Sequence, residues 1–132
     1  MIEKVPISTS KKQELVDISS QINKIVKKSN IKEGICIVYC PHTTAGITIN
    51  ENADPDVQSD ILQKLTSLIP QNEDYKHSEG NSDAHIKSSL LGNEKTIIIK
   101  NNNLLLGTCQ GIYFFEGDGP RQREIIIKII KG

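Results

Sequence analysis

The chain reads as an α+β domain: a run of antiparallel strands interrupted by two main helices and one short helix. Three observations predict this. An apolar stripe at helical spacing runs through the first thirty residues, and a well-signposted helix start lies at Asp54-Pro55-Asp56. The last third is rich in β-branched residues broken by turn-forming clusters. The 132 residues fit one domain, 1–132. A chain of this size buries roughly two thirds of its unfolded surface, enough for a core of its own.

Taken in order, residues 3–8 alternate as a first strand. Ser10 opens a helix, with Gln13 placed to complete a capping box. Leu15, Ile18, Ile22, Ile25 and Val26 carry its stripe through residue 29, and Asn30 stops it. Residues 35–40, Ile-Cys-Ile-Val-Tyr-Cys, form a buried strand, and 46–50 form a second short one. In the next helix Asp54 caps, Pro55 suits the first turn and Asp56 favours the positive end of the dipole. Val57, Ile61, Leu62, Leu65, Leu68 and Ile69 mark its inner face, and Pro70 ends it.

A polar stretch over 71–82 precedes a short helix from about Asp83 to Leu91, closed by Gly92, with Ile86 and Leu90 four apart. Strands then follow at 95–100, 104–107, 109–116 and 121–130, with turns at Asn101-Asn102-Asn103 and Gly117-Asp118-Gly119-Pro120. Several strands, 125–130 above all, are apolar on both faces. Their outer faces are therefore expected to be covered by helices or by another subunit, and self-association follows as an expectation.

Sixteen acidic and sixteen basic side chains balance, which gives no general electrostatic reason to expect nucleic acid or an anionic membrane as partner. Met1 to Pro6 lacks the apolar core of a secretory signal, and no apolar run nears the ~20 residues of a membrane helix. Cys36, Cys40 and Cys109 are odd in number and contain no Cys-x-x-Cys spacing, so a cytoplasmic, reducing setting is expected.

Two segments concentrate chemistry. In 77–85, His-Ser-Glu-Gly-Asn-Ser-Asp-Ala-His, every odd position is polar: His77, Glu79, Asn81, Asp83 and His85. Extended backbone would put all five on one side. A helix beginning within the segment competes with that reading and makes Asp83 and His85 diverge. The remaining histidine, His42, stands in Cys40-Pro41-His42-Thr43-Thr44-Ala45-Gly46 after a buried strand. We expect the two segments to converge on one site. Two imidazoles and a carboxylate can ligate a divalent metal, and Asn81, Ser82 and Asp83 suit a helix start whose amides bind phosphate once a cation offsets Asp83. The plainer readings are a strand-end turn at 42–44 and a solvated loop with a helix cap at 77–85. Arg121 and Arg123, two apart on one strand face, can grip phosphate or carboxylate, or simply flank a hairpin with an ion pair. Neither a Gly-x-Ser-x-Gly nucleophile turn nor a Gly-x-x-x-x-Gly-Lys-Ser/Thr phosphate loop is present.

The blocks PHTTAGITINENADPDV at 41–57, HSEGNSDAHIKSSLLG at 77–92 and LLLGTCQGIYFFEGDGPRQR at 104–123 resemble the YjbQ family of secondary thiamine-phosphate synthase-like proteins. The likeness runs from about residue 35 to the C-terminus. Two positions depart from the family pattern: Cys109 stands where tryptophan is usual, and Gly117 where a bulky residue is usual. The resemblance implies an α+β fold built around a β-sandwich, assembled as a homotrimer with sites near subunit boundaries. It also implies a weak transferase activity that joins hydroxymethylpyrimidine diphosphate to hydroxyethylthiazole phosphate and releases pyrophosphate.

Carried over by motif, His42, His77, Asp83 and His85 would be catalytic. Thr43, Thr44, Asn81 and Arg121 would bind substrate phosphate. A divalent metal, magnesium or zinc, would sit on His77, Asp83 and His85 and, with Arg121, neutralise the leaving pyrophosphate. No strong general base is needed, because the attacking thiazole nitrogen carries no proton. Two other readings stay open: metal-assisted hydrolysis or another reaction on a phosphorylated metabolite, and a non-catalytic trimeric module that binds a small anion or metal.

Overall fold

The computed structural model describes residues 1–132. In chain order the elements are β1 (Ile2–Ser8), β2 (Glu14–Asp17), α1 (Ser19–Ser29), β3 (Glu33–Tyr39), β4 (Ala45–Glu51) and α2 (Pro55–Leu68). They continue with α3 (Ser82–Leu91), β5 (Glu94–Lys100), β6 (Asn103–Leu104), β7 (Gln110–Glu116) and β8 (Gln122–Lys131). One sheet has the order β1-β8-β3-β5-β6 and the other β2-β7-β4, and every pairing is antiparallel. The fold is α+β, as the sequence predicts.

Strand alternation builds the core. Ile125, Ile127 and Ile129 of β8 turn inward beside Cys36 and Val38 of β3 and Ile97 and Ile99 of β5. Ile47 of β4 and Ile112 and Phe114 of β7 join them from the second sheet, and Ile22, Ile25 and Val26 from α1. Each such side chain contributes roughly 1.5–3 kcal/mol on burial. The opposite face of the large sheet keeps Ile98 and Ile130 exposed within the single chain.

The helix expected over 10–29 divides. Residues 14–17 form a strand, with Leu15 opposite Phe115 and Val16 opposite Phe114. Ser10 does not cap a helix; its amide donates to Glu14 Oε1 at 2.7 Å and closes a turn. Gln13 reaches α2 instead, donating to the Leu62 carbonyl at 3.1 Å and to Thr66 Oγ1 at 2.9 Å. The stop at Asn30 holds: its φ of 59° is left-handed, and its amide bonds the Lys27 carbonyl. At α2 the Asp54 carboxylate accepts from the Asp56 amide at 2.9 Å with Pro55 in the first turn. Of the apolar face read for α2 only Leu65 is buried, and Leu68 lies exposed. The strand read at 104–107 shortens to Asn103–Leu104.

The short helix α3 inverts its predicted face. Asp83, Ala84, Lys87 and Ser88 are buried, whereas Ile86 and Leu90 point outward. An ion pair decides this: Lys87 Nζ donates to Asp83 Oδ2 at 2.9 Å and to Gln13 Oε1 at 2.9 Å, and Ser88 Oγ donates to the Ala45 carbonyl at 2.6 Å. The i, i+4 spacing that stacks one apolar pair stacks this charged pair equally well.

Candidate functional site

Past Tyr39, strand β3 leaves its partner β8, and the chain turns through Cys40 and Pro41 before entering β4. The His42 imidazole takes the place of the departed strand. Its Nε2 lies 3.1 Å from the Glu124 amide nitrogen and 3.0 Å from the Glu124 carbonyl oxygen. Both polar groups of Glu124 thus face the side that β3 has vacated. The His42 ring is further set by an edge contact with Phe114, centroid to centroid 6.4 Å.

The segment 77–85 is not one extended strand. A turn at 78–80, with Gly80 at φ 79°, leads into α3, so Asp83 and His85 leave the helix in different directions. His85 shares a groove with His42 and Asp83 does not. His42, Thr43 and His85 line a groove with two arms, one of about 420 Å³ and one of about 360 Å³. The first continues over Ser88, Ser89, Gly92 and Asn93 at the end of α3. The second takes in Thr44, Glu79, Asn81, Arg121 and Arg123. Apart from Pro41, both arms are lined by polar side chains and Gly92. Six residues read from the sequence as site residues thus meet at one groove: His42, Thr43, Thr44, Asn81, His85 and Arg121.

His77 lies behind His85, their rings edge to face at 5.5 Å, in a separate hollow with Tyr75, Lys76, Ser82 and Ile86. The metal set read from the sequence is corrected at Asp83. Its carboxylate is buried beneath α3 and bonded to Lys87, with both side chains almost fully covered. No three His, Cys, Asp or Glu side chains of the chain cluster as a metal site. His77, Asp83 and His85 are therefore not a ligand set within one chain.

The chain as a whole is similar to known proteins. The UPF0047 YjbQ-like family profile matches residues 3–132. The chain belongs to this family. A UPF0047 protein of Methanocaldococcus jannaschii is 58% identical over 98% of this chain and 94% of its own length. The UPF0047 protein YugU of Bacillus subtilis is 47% identical, covering 98% and 99%. Among solved structures, a YjbQ/UPF0047 protein of Clostridium acetobutylicum superposes with a TM-score of 0.95 at 54% identity, over 97% of this chain and 99% of that one. A YbjQ-like protein of Sulfolobus solfataricus gives 0.96 at 36% identity, over 100% and 97%.

Beneath the second arm, this YjbQ-family chain holds two carboxylates whose roles the sequence does not reveal. Glu116 is fully buried and takes Arg123 on both oxygens, Nε to Oε1 at 2.8 Å and Nη2 to Oε2 at 2.5 Å. Arg123 Nη2 also donates to Thr44 Oγ1 at 2.8 Å, and Thr9 Oγ1 donates to Glu116 Oε1 at 2.8 Å. Burial opposes ionisation of Glu116 most strongly, but the bonds from Arg123, the Asp118 amide and Thr9 together hold its carboxyl below the usual range.

Asp118 gathers three donors: Lys12, Asn81 Nδ2 at 2.9 Å and Arg121 Nη2 at 3.0 Å. Partial burial raises its pKa, and the bonds from Lys12, Asn81 and Arg121 more than reverse that, bringing it to about 2. The spacing Glu116-x-Asp118 before Arg121-x-Arg123 is the signal that foreshadows both pairs. Sequence alone does not say that the inner pair is buried and the outer one open.

Gly117, between the two carboxylates, lets strand and helix close together. A Cβ there would lie 2.8 Å from the Thr44 carbonyl oxygen and 3.1 Å from Ala84 Cβ. Packing around position 117 in this chain therefore leaves no room for the bulky residue usual in the pattern. Cys109, the other departure, is exposed.

Proposed function

We propose that the groove binds the phosphate end of a small phosphorylated metabolite, and that the chain is a thiamine-phosphate synthase-like transferase. The observation that carries this reading is the convergence of His42, Thr43, His85 and Arg121 on one mostly polar groove. Imidazole and hydroxyl groups can donate to phosphate oxygens, and Arg121, about half exposed, supplies a guanidinium. In the proposed reaction the C–O bond of hydroxymethylpyrimidine diphosphate breaks and pyrophosphate departs with the bonding electrons. The thiazole nitrogen of hydroxyethylthiazole phosphate then forms the new C–N bond. Hydrogen bonds from His85, Thr43 and Arg121 stabilise the growing negative charge of the leaving group. His77, behind His85, orients that ring.

The polar lining also favours a second reading, in which another reaction of a phosphorylated metabolite is the main work. A groove lined mainly by polar side chains recognises phosphate better than it recognises a pyrimidine or thiazole ring. We further propose a homotrimer in the cytoplasm. Exposed Ile86 and Leu90 on α3, beside the groove, support an apolar interface there, and three free thiols suit a reducing compartment. No helix is long and apolar enough to cross a membrane.

The test is incubation of the purified protein with both thiamine precursors and magnesium, alongside His85→Ala, with thiamine phosphate measured. Product from the wild type that vanishes in the variant supports the transferase. No product above background, with turnover instead on a phosphatase or esterase panel, would favour the second reading. Metal content of the purified protein, and activity after chelation, decide whether magnesium or zinc takes part.

A further inference from the structure

The groove contains one histidine whose protonation pattern the backbone dictates. Nε2 of His42 faces the peptide group of Glu124, at 3.1 Å from its nitrogen and 3.0 Å from its oxygen. A neutral imidazole carries one N–H and one lone pair, so Nε2 can satisfy only one of those two groups. Leaving a backbone N–H without an acceptor costs more than leaving a carbonyl lone pair unused, because the oxygen has two and tolerates partial satisfaction. The Glu124 amide has lost its ladder partner where β3 turns away, and the only acceptor supplied to it is Nε2. The carbonyl has no other protein donor, but an unsatisfied carbonyl is tolerated more often than an unsatisfied amide.

We propose that neutral His42 is held as the Nδ1–H tautomer by the Glu124 amide, so that it meets the groove as a hydrogen-bond donor rather than as a base. Nε2 is committed to the backbone, which leaves Nδ1 as the ring atom that serves the groove. Edge contact with Phe114 fixes the ring plane and hence the direction in which Nδ1–H points. The ligand atom it suits is an acceptor without a proton, such as a phosphate oxygen. No proton is transferred at this residue; it binds and orients. The inference rests on the phosphate reading of the groove for its ligand, and not for its tautomer.

Long-range ¹H–¹⁵N spectra of the ¹⁵N-labelled protein test it, recorded without ligand in buffer alkaline enough to keep imidazole neutral and then with inorganic phosphate. We expect His42 Nε2 at the position of an unprotonated, accepting ring nitrogen and Nδ1 at that of a protonated one. The reverse assignment overturns the proposal.

Two variants add a readout by affinity. In His42→Asn the amide nitrogen reaches the place of Nδ1 and should keep phosphate binding within a fewfold of wild type. In His42→Gln the amide lies nearer Nε2, and binding should fall by about tenfold or more, the worth of one hydrogen bond to a charged group. Equal weakening in both, with both folded, would count against a donor at Nδ1. If wild-type protein shows the expected tautomer and binds no phosphate, the functional reading fails and the tautomer stands.

Discussion

Arg123 and Glu116 are joined by two parallel hydrogen bonds with both side chains buried, directly beneath the Thr44 hydroxyl at the groove. Two charges taken out of water are tolerable only because each answers the other and Thr9 and Thr44 answer what remains. Arg123→Met should therefore destabilise the fold by about 3–5 kcal/mol, since it strands a buried carboxylate. Arg123→Met combined with Glu116→Gln should recover part of that loss. Urea unfolding of wild type and the two variants measures it; a single variant that unfolds at the wild-type midpoint would sink the argument.

Asp118 should make stability fall in acid. Its folded carboxyl lies at about 2, below its ordinary value of 3.8, because Lys12, Asn81 and Arg121 favour the charged form over the cost of burial. A depressed carboxylate contributes stability that is complete above its unfolded pKa and drains away as pH falls towards the folded one. The stability difference between wild type and Asp118→Asn should thus be full at neutral pH and shrink between about pH 4 and pH 2. Denaturation midpoints across that range check it. A difference that stays constant would mean that the carboxylate charge is not what Asp118 contributes.

Gly117→Ala should loosen the join between α3 and β4. The added carbon would stand 2.8 Å from the Thr44 carbonyl and 3.0 Å from the Phe115 ring, and one of those elements must move. Overpacking of this kind costs about 1–3 kcal/mol. The backbone amide of Gly117 bonds that same carbonyl at 2.9 Å, so amide exchange at Gly117 should quicken in the variant.

Thiol reactivity should divide by position. Burial pushes the Cys36 thiol up to about 11 and raises Cys40 too, whereas Cys109 is exposed. Native protein should react with one equivalent of a thiol reagent, and Cys109→Ser should abolish that reaction. Rapid labelling of all three would show that the core around β3 opens readily.

Much of this architecture was legible in the residues. Asp54 and Pro55 announce α2 because capping chemistry is local, and Asn30 marks the end of α1 for the same reason. The strand at 14–17 was not legible, since Leu15 and Ile18 fit a helical period and only pairing with Phe114 and Phe115 decides otherwise. Tertiary pairing overrode local pattern there. At the site, the histidine and threonine motifs do come together at one groove. Asp83 misled: the helix read over 83–91 already put Lys87 one turn on, but nothing local tells that Gln13 also receives its ammonium and that the pair is drawn inward. A carboxylate that reads as a metal ligand is here a structural ion pair.

The anchor of His42 has one more property. It is a peptide group, not a side chain, so replacing Glu124 by almost any residue leaves it in place. An alanine or charge scan along β8 would pass over position 124 as silent. Only proline, which deletes the N–H, would expose the dependence, by releasing the imidazole while leaving every side chain of the groove as it was.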